Sequence, residues 1–221
     1  MKYLLSFIVI TFVYMPACCQ TINSPIKAGK TDTCLVDFTK HTFPQKWEHD
    51  AIDSIYWLTS ISNYRYFESL SSMPQQKLGI LPQKKSTASD YLLDSAYYCK
   101  TMYSTKKYTL NIYKSGSKYQ NKKGDEMFAP VDYIVLVTLD AKRRIIDYLV
   151  CYYFVYRAYE SSERYFYMDD NKNITLVNFY TDELETTFQG RCIYHIGEQG
   201  RFILSPKVGE IKNNRLKRYI L

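Results

Sequence analysis

Glycine and histidine are the scarce residues of this 221-residue chain, with eight of the first and three of the second. Phosphate-cradling loops and nucleophile elbows are built from glycine, because only glycine lets backbone approach a ligand closely. None of the eight falls into a G-x-x-x-x-G-K, G-x-G-x-x-G or G-x-S-x-G arrangement, which sets aside nucleotide-binding loops and the serine-hydrolase elbow. His41, His49 and His195 form no H-E-x-x-H and no zinc-spaced cluster, so neither a metal nor a cofactor is expected. Long apolar runs are also missing: the longest, residues 4–14 (LLSFIVITFVY), is well short of the about 20 residues of a membrane helix.

That run has another use. Lys2 precedes it and the small residues Ala17 and Cys18 follow, the layout of a secretory signal peptide over residues 1–19. Two cuts are open. One before Cys18 resembles the lipobox of bacterial lipoproteins, with Met15 where those boxes usually carry Leu, and would place diacylglycerol on the Cys18 sulfur. One after Cys19 puts Ala17 and Cys19 at the small-residue positions of an ordinary signal-peptidase site. Residues 20–33 then read as a flexible tether and 34–221 as one β-rich domain. Cys34, Cys99, Cys151 and Cys192 remain under either cut, and an oxidising compartment lets four cysteines pair in three ways. Pairing arithmetic leans towards the ordinary cut and the Ala17–Cys18 junction towards lipid.

Aromatic residues make up 16% of the chain, 23 of them tyrosine, ample surface for a packed core. The formal charge is +7 and the basic residues are dispersed, except in residues 207–218 (KVGEIKNNRLKR). A solvated segment explains that cluster, and with an export signal no nucleic-acid partner is expected. Contact with a membrane is expected only through a lipid at the N-terminus.

A repeated pattern dominates the second half. Residues 138–149 (TLDAKRRIIDYL), 168–179 (MDDNKNITLVNF) and 195–206 (HIGEQGRFILSP) each carry turn-forming residues ahead of an apolar run, and 102–113 (MYSTKKYTLNIY) is a weaker copy. Strands are predicted at 96–103, 107–114, 131–139, 145–157, 163–168, 174–181, 186–196 and 201–205. Short loops join them, so the expected fold is mainly β: an antiparallel meander of about eight strands forming a sandwich, curled sheet or barrel, with a short helical N-terminal part. Strict alternation from Ile145 puts Ile146, Tyr148, Val150, Tyr152, Phe154 and Tyr156 on one face. Both faces are largely apolar, as for a strand between layers.

Earlier in the chain, residues 50–61 (DAIDSIYWLTSI) place Ile52, Ile55, Tyr56 and Leu58 near one helical face, with Asp50 available as cap. A second short helix is read from Ser89, and residues 78–90 and 115–125 read as connectors.

Two chemistries are open to these residues. Asp169 with Asp170, and Asp182 with Glu183 and Glu185, are acid clusters that turn chemistry explains simply; with Glu163 they are also the material for a hydrolase of unfamiliar type. Six tyrosines gather at Tyr152, Tyr153, Tyr156, Tyr159, Tyr165 and Tyr167, and an exposed row of Tyr156, Tyr159, Tyr165 and Tyr167 would make a binding platform. The leader with its cysteine, the turns at Asp140 (DAKRRI) and Asp170 (DNKNIT) and the closing GEQGRFIL resemble small uncharacterised secreted proteins and lipoproteins of Bacteroides-type Gram-negative bacteria, over about residues 95–205. That resemblance implies an envelope location and an antiparallel sheet, and brings no activity or functional residue. The expected function is a non-enzymatic envelope binding protein for a glycan or protein ligand, catalytic residues none, with the hydrolase as alternative.

Overall fold

The structure is a computed structural model and describes residues 35–79, 96–115 and 131–206. Cys18 with the signal segment, the tether, Cys34, the helix expected from Ser89, most of both connectors and the basic cluster lie outside the described residues. Within them the chain forms a 3-10 turn (Phe38–Lys40), β1 (Lys46–Glu48), α1 (Ser54–Ser69), β2 (Met73–Lys77), β3 (Ala96–Ser104) and β4 (Thr109–Ser115). It continues through β5 (Val131–Leu139), β6 (Ile145–Arg157), β7 (Glu160–Met168), β8 (Ile174–Asp182), β9 (Glu185–Ile196) and β10 (Phe202–Leu204). All ten strands join one antiparallel sheet, in the order β1-β9-β8-β7-β6-β5-β4-β3-β2, with β10 beside β9. The eight expected strands are all there; β1 and β2 are additional. Those two end the path without pairing to each other, so the sheet is open and no barrel closes.

Three hairpin turns repeat one geometry, and it explains the sequence repeat. In each, the fourth residue donates its amide to the first carbonyl and sits at positive φ: Arg143 on Asp140 (2.9 Å, φ 61), Lys172 on Asp169 (2.9 Å, φ 65) and Gly200 on Gly197 (2.9 Å, φ 80). This is a type I turn closed by a left-handed residue. The Asp side chain tightens it, since Asp140 Oδ1 accepts from the Arg144 amide and Asp169 Oδ1 from the Asn173 amide, both at 2.8 Å. The equivalent of Asp140 is therefore Asp169, one residue before the Asp170 that the sequence comparison chose.

Alternation in β6 is interrupted. Ile134 pairs with Tyr152 and Val135 with Val150, leaving Cys151 as an extra residue that exchanges the two faces. Leu149, Tyr152 and Phe154 thus belong with the core on the α1 side, and Tyr148, Val150 and Tyr153 with a second cluster around Tyr133, Val135 and Val137. The face predicted from Ile146 through Tyr156 is correct only in halves, while burial on both sides holds.

The sheet curls enough for distant strands to touch. Thr138 Oγ1 on β5 donates to the Gly200 carbonyl (2.6 Å), and the Phe202 amide to Asp147 Oδ2 on β6 (2.8 Å). Gly200 is required there, because a Cβ would lie 3.1 Å from Tyr108 and Ile146 carbons.

Candidate functional site

Helix α1 starts at Asp53, whose Oδ1 accepts from the Ile55 amide at 2.7 Å, three residues after the expected cap at Asp50. At its other end, Lys114 Nζ donates to the Phe67 carbonyl (3.0 Å) and lies over the Phe67 ring, a cation where the helix dipole is negative. What α1 covers is a split in the sheet. Strand β6 pairs with β7 only from Arg157–Glu160 to Tyr153–Arg164, and beyond that β7 keeps only β8. The Phe166 amide, on the stretch that β6 has left, donates to Asn63 Oδ1 of α1 at 3.0 Å, while Asn63 Nδ2 donates to the Thr59 carbonyl. A buried side-chain amide thus replaces a strand partner.

Two helical turns before Asn63, at Tyr56, the inner face meets Glu163. This carboxylate is 3% exposed and collects three hydroxyl donors: Tyr56 (2.7 Å), Ser161 (2.7 Å) and Tyr165. Three of its about four lone-pair sites are used inside the fold, in keeping with the rule that buried polar groups are hydrogen-bonded. Burial, then the Glu163 charge, push the Tyr56 and Tyr165 phenols well above the ordinary range.

The tyrosines expected to form a platform separate. Tyr165 is 1% exposed and packs on Tyr56, Tyr152 and Phe179, so its assignment to a ligand surface is corrected. Cross-strand register sends it to the α1 face, where the helix covers it. Tyr167 is half-buried against Phe38, about 23 Å along β7 from the turn that carries Tyr159. Tyr156 and Tyr159 are exposed at that turn. The four rings make no single row.

The acids separate too. Glu163 and Asp169 lie about 20 Å apart along extended chain, beyond the 5–10 Å of paired catalytic carboxyls. Asp169 accepts from the Asn173 amide and Asn173 Nδ2, and Asp182 Oδ1 from the Leu184 and Glu185 amides, which hold the Asp182 carboxyl below its ordinary range. Turn chemistry accounts for both. Cys99, Cys151 and Cys192 are free thiols. They sit on β3, β6 and β9, each three strand steps from the next, about 14 Å along the sheet, where a disulfide spans under about 7 Å. The pairings among these three that sequence allowed are therefore not made. Burial raises the Cys151 and Cys192 thiols, which makes them poor nucleophiles.

What remains open to solvent is the outer face of α1. Trp57 (50% exposed), Leu58 (57%), Ile61 (41%) and Tyr64 (52%) follow one another at helical spacing. Leu58, expected on the buried face with Tyr56, belongs to this outer stripe. Sequence reasoning missed the stripe because Trp, Leu, Ile and Tyr read as core. The signal that could have found it is the Thr59, Asn63 pair, whose (i, i+4) spacing marks a polar inner stripe on the opposite side.

No protein-family model, curated protein or solved structure matches the chain. No helix among the described residues is long and apolar enough to cross a membrane.

Proposed function

We propose that this is a non-enzymatic binding protein of the bacterial cell envelope, exported by its leader and, if Cys18 is lipidated, tethered there by that lipid. The observation that carries the reading is the outer face of α1. Trp57 and Tyr64 are of the residue types enriched at the centre of protein interfaces, and Leu58 and Ile61 add apolar area between them. Four contiguous side chains of this kind are more than the isolated exposed apolar residue of an ordinary surface. A protein ligand therefore suits this face better than a glycan. The hydrolase alternative gains nothing from the geometry, since Glu163 is buried and bonded to three hydroxyls and Asp169 is remote from it.

A double variant Trp57→Ser, Tyr64→Ser tests this. Wild-type protein immobilised through its C-terminus should retain a discrete protein from a detergent-extracted envelope fraction, and the variant should lose it at unchanged melting temperature. Equal retention by both, or release of sugar from envelope polysaccharide by the wild type, would overturn the reading.

A further inference from the structure

The sheet face away from α1 holds a groove of about 330 Å³ between β2, β3, β4 and the β5–β6 turn, lined in part by Tyr98, Thr101, Thr109, Asn111, Leu139 and Arg143. Its wall contains Asn111, whose Oδ1 accepts from Thr101 Oγ1 at 2.8 Å and whose Nδ2 donates to no acceptor among the described residues. The bond to Oδ1 fixes the plane of the amide and with it the direction of the two Nδ2 protons. In the wall of a groove it is a donor already oriented for a ligand.

The orientation comes from a short relay. The Tyr98 hydroxyl and Thr101 Oγ1 share a hydrogen bond of 3.0 Å, and Thr101 in turn fixes Asn111. Thr109 adds a hydroxyl, Leu139 an apolar patch, and Tyr98 a half-buried ring. Neutral hydroxyls and an amide beside an aromatic ring suit a sugar, whose hydroxyls lie around a ring with apolar C–H faces.

Charge then narrows the sugar. Asp140 also lines the groove, and Arg144 closes on it with Nη2 and Nε each 2.7 Å from Oδ2, while Asp140 Oδ1 accepts the Lys142 and Arg144 amides. Hydrogen bonds from Arg144 hold the Asp140 carboxyl below its ordinary range, and its charge is satisfied within its own turn. Arg143, held at φ 61 by that turn, has no ion pair among the described residues and lines the groove with its guanidinium free. A free guanidinium is a carboxylate receptor.

We propose that this groove binds a saccharide unit carrying a carboxylate, a uronic acid in an acidic polysaccharide, through Asn111, Thr101 and Arg143. The site goes beyond the α1 surface and shares no residue with it, so either can fail alone.

The test is an amide-resolved NMR titration of the full mature chain with two probes, a trisaccharide of galacturonic acid and one of galactose. Wild-type protein should show groove resonances from β3 and β4 moving with the acidic probe at least fivefold lower in concentration than with the neutral one. Arg143→Asn, which tolerates the same backbone, should remove that preference. Thr101→Val, at an exposed strand position, should keep the amide shifts of strands away from the groove unchanged and weaken both probes about tenfold, the loss expected for one oriented hydrogen bond. Trp57→Ser, Tyr64→Ser should leave the titration unchanged. Absence of groove shifts with either probe, shifts confined to α1, or an acid preference that survives Arg143→Asn would each overturn the assignment.

Discussion

The two faces of α1 depart from the usual order of an amphipathic helix, since the buried one mixes Thr59, Ser62 and Asn63 with Tyr56, Tyr66 and Phe67 and the exposed one carries an apolar stripe. Its inner side spends Tyr56 and Asn63 on hydrogen bonds to Glu163 and the Phe166 amide, and its outer side offers Trp57, Leu58, Ile61 and Tyr64 to water. An ordinary surface helix puts the apolar stripe inside and the polar one out. The reason for the inner side is in the sheet: where β6 leaves β7, the strand exposes a backbone donor that no leucine could satisfy. On the outer side only Trp57 has a ring contact among the described residues, edge-on to Tyr56 at 5.9 Å, so the two sides differ in what they contribute to stability.

Breaking the inner face should give the largest effects. Glu163→Ala strands three buried hydroxyls and should cost about 3 kcal/mol, a drop of roughly 10 °C in melting temperature by calorimetry for a domain of this size. Asn63→Ala leaves the Phe166 amide without its acceptor and should cost about 2 kcal/mol by urea unfolding, with hydrogen exchange at Phe166 accelerated more than at its neighbours.

Alkali should act on buried phenols throughout the core. Burial raises Tyr194 to about 12, and burial with the Glu163 charge raises Tyr56 and Tyr165 further. The folded state therefore holds these protons more tightly than the unfolded chain, whose phenols release them near pH 10. Their contribution is complete below pH 10 and is lost as pH rises through the folded-state values. Melting temperature should fall between pH 10 and 12, and Tyr194→Phe should flatten that part of the curve.

Smaller effects lie at the helix start and on the outer face. Asp53→Ala removes the N-cap and should cost about 1 kcal/mol. Trp57→Ser, Tyr64→Ser should stay within about 0.5 kcal/mol of wild type, as for surface positions. A large loss there would mean that the outer face is packed against something in the isolated protein.

Strands were legible because their cues are local. Runs such as residues 131–139 and 174–181, bounded by Asp, Asn, Lys and Gly, carry both the β preference and the turn, and the structure places β5 and β8 within a residue of them. Short β1 and the all-exposed β2, with Pro74, have no such run and exist through the strands beside them. The extra residue at Cys151 leaves no local trace, and it reversed half of a face. Tyr165 illustrates the same limit for the site: its residue type suits a platform or a core equally, and only the helix laid over it decides. Asn111 and Arg143 carry no sequence signal, since an amide held by Thr101 on the wall of a groove becomes visible only when its partners are placed.

The inner face of α1 holds the fold, and the role proposed for the outer face is to meet a protein partner. Melting temperature and capture of a protein from an envelope fraction, measured for Glu163→Gln and for Trp57→Ser, Tyr64→Ser side by side, test the two together. The account predicts that Glu163→Gln melts lower and, below its transition, captures as wild type does, while the double variant melts as wild type does and captures nothing. Loss of capture by folded Glu163→Gln at unchanged melting temperature would contradict it and make Glu163 a functional acid.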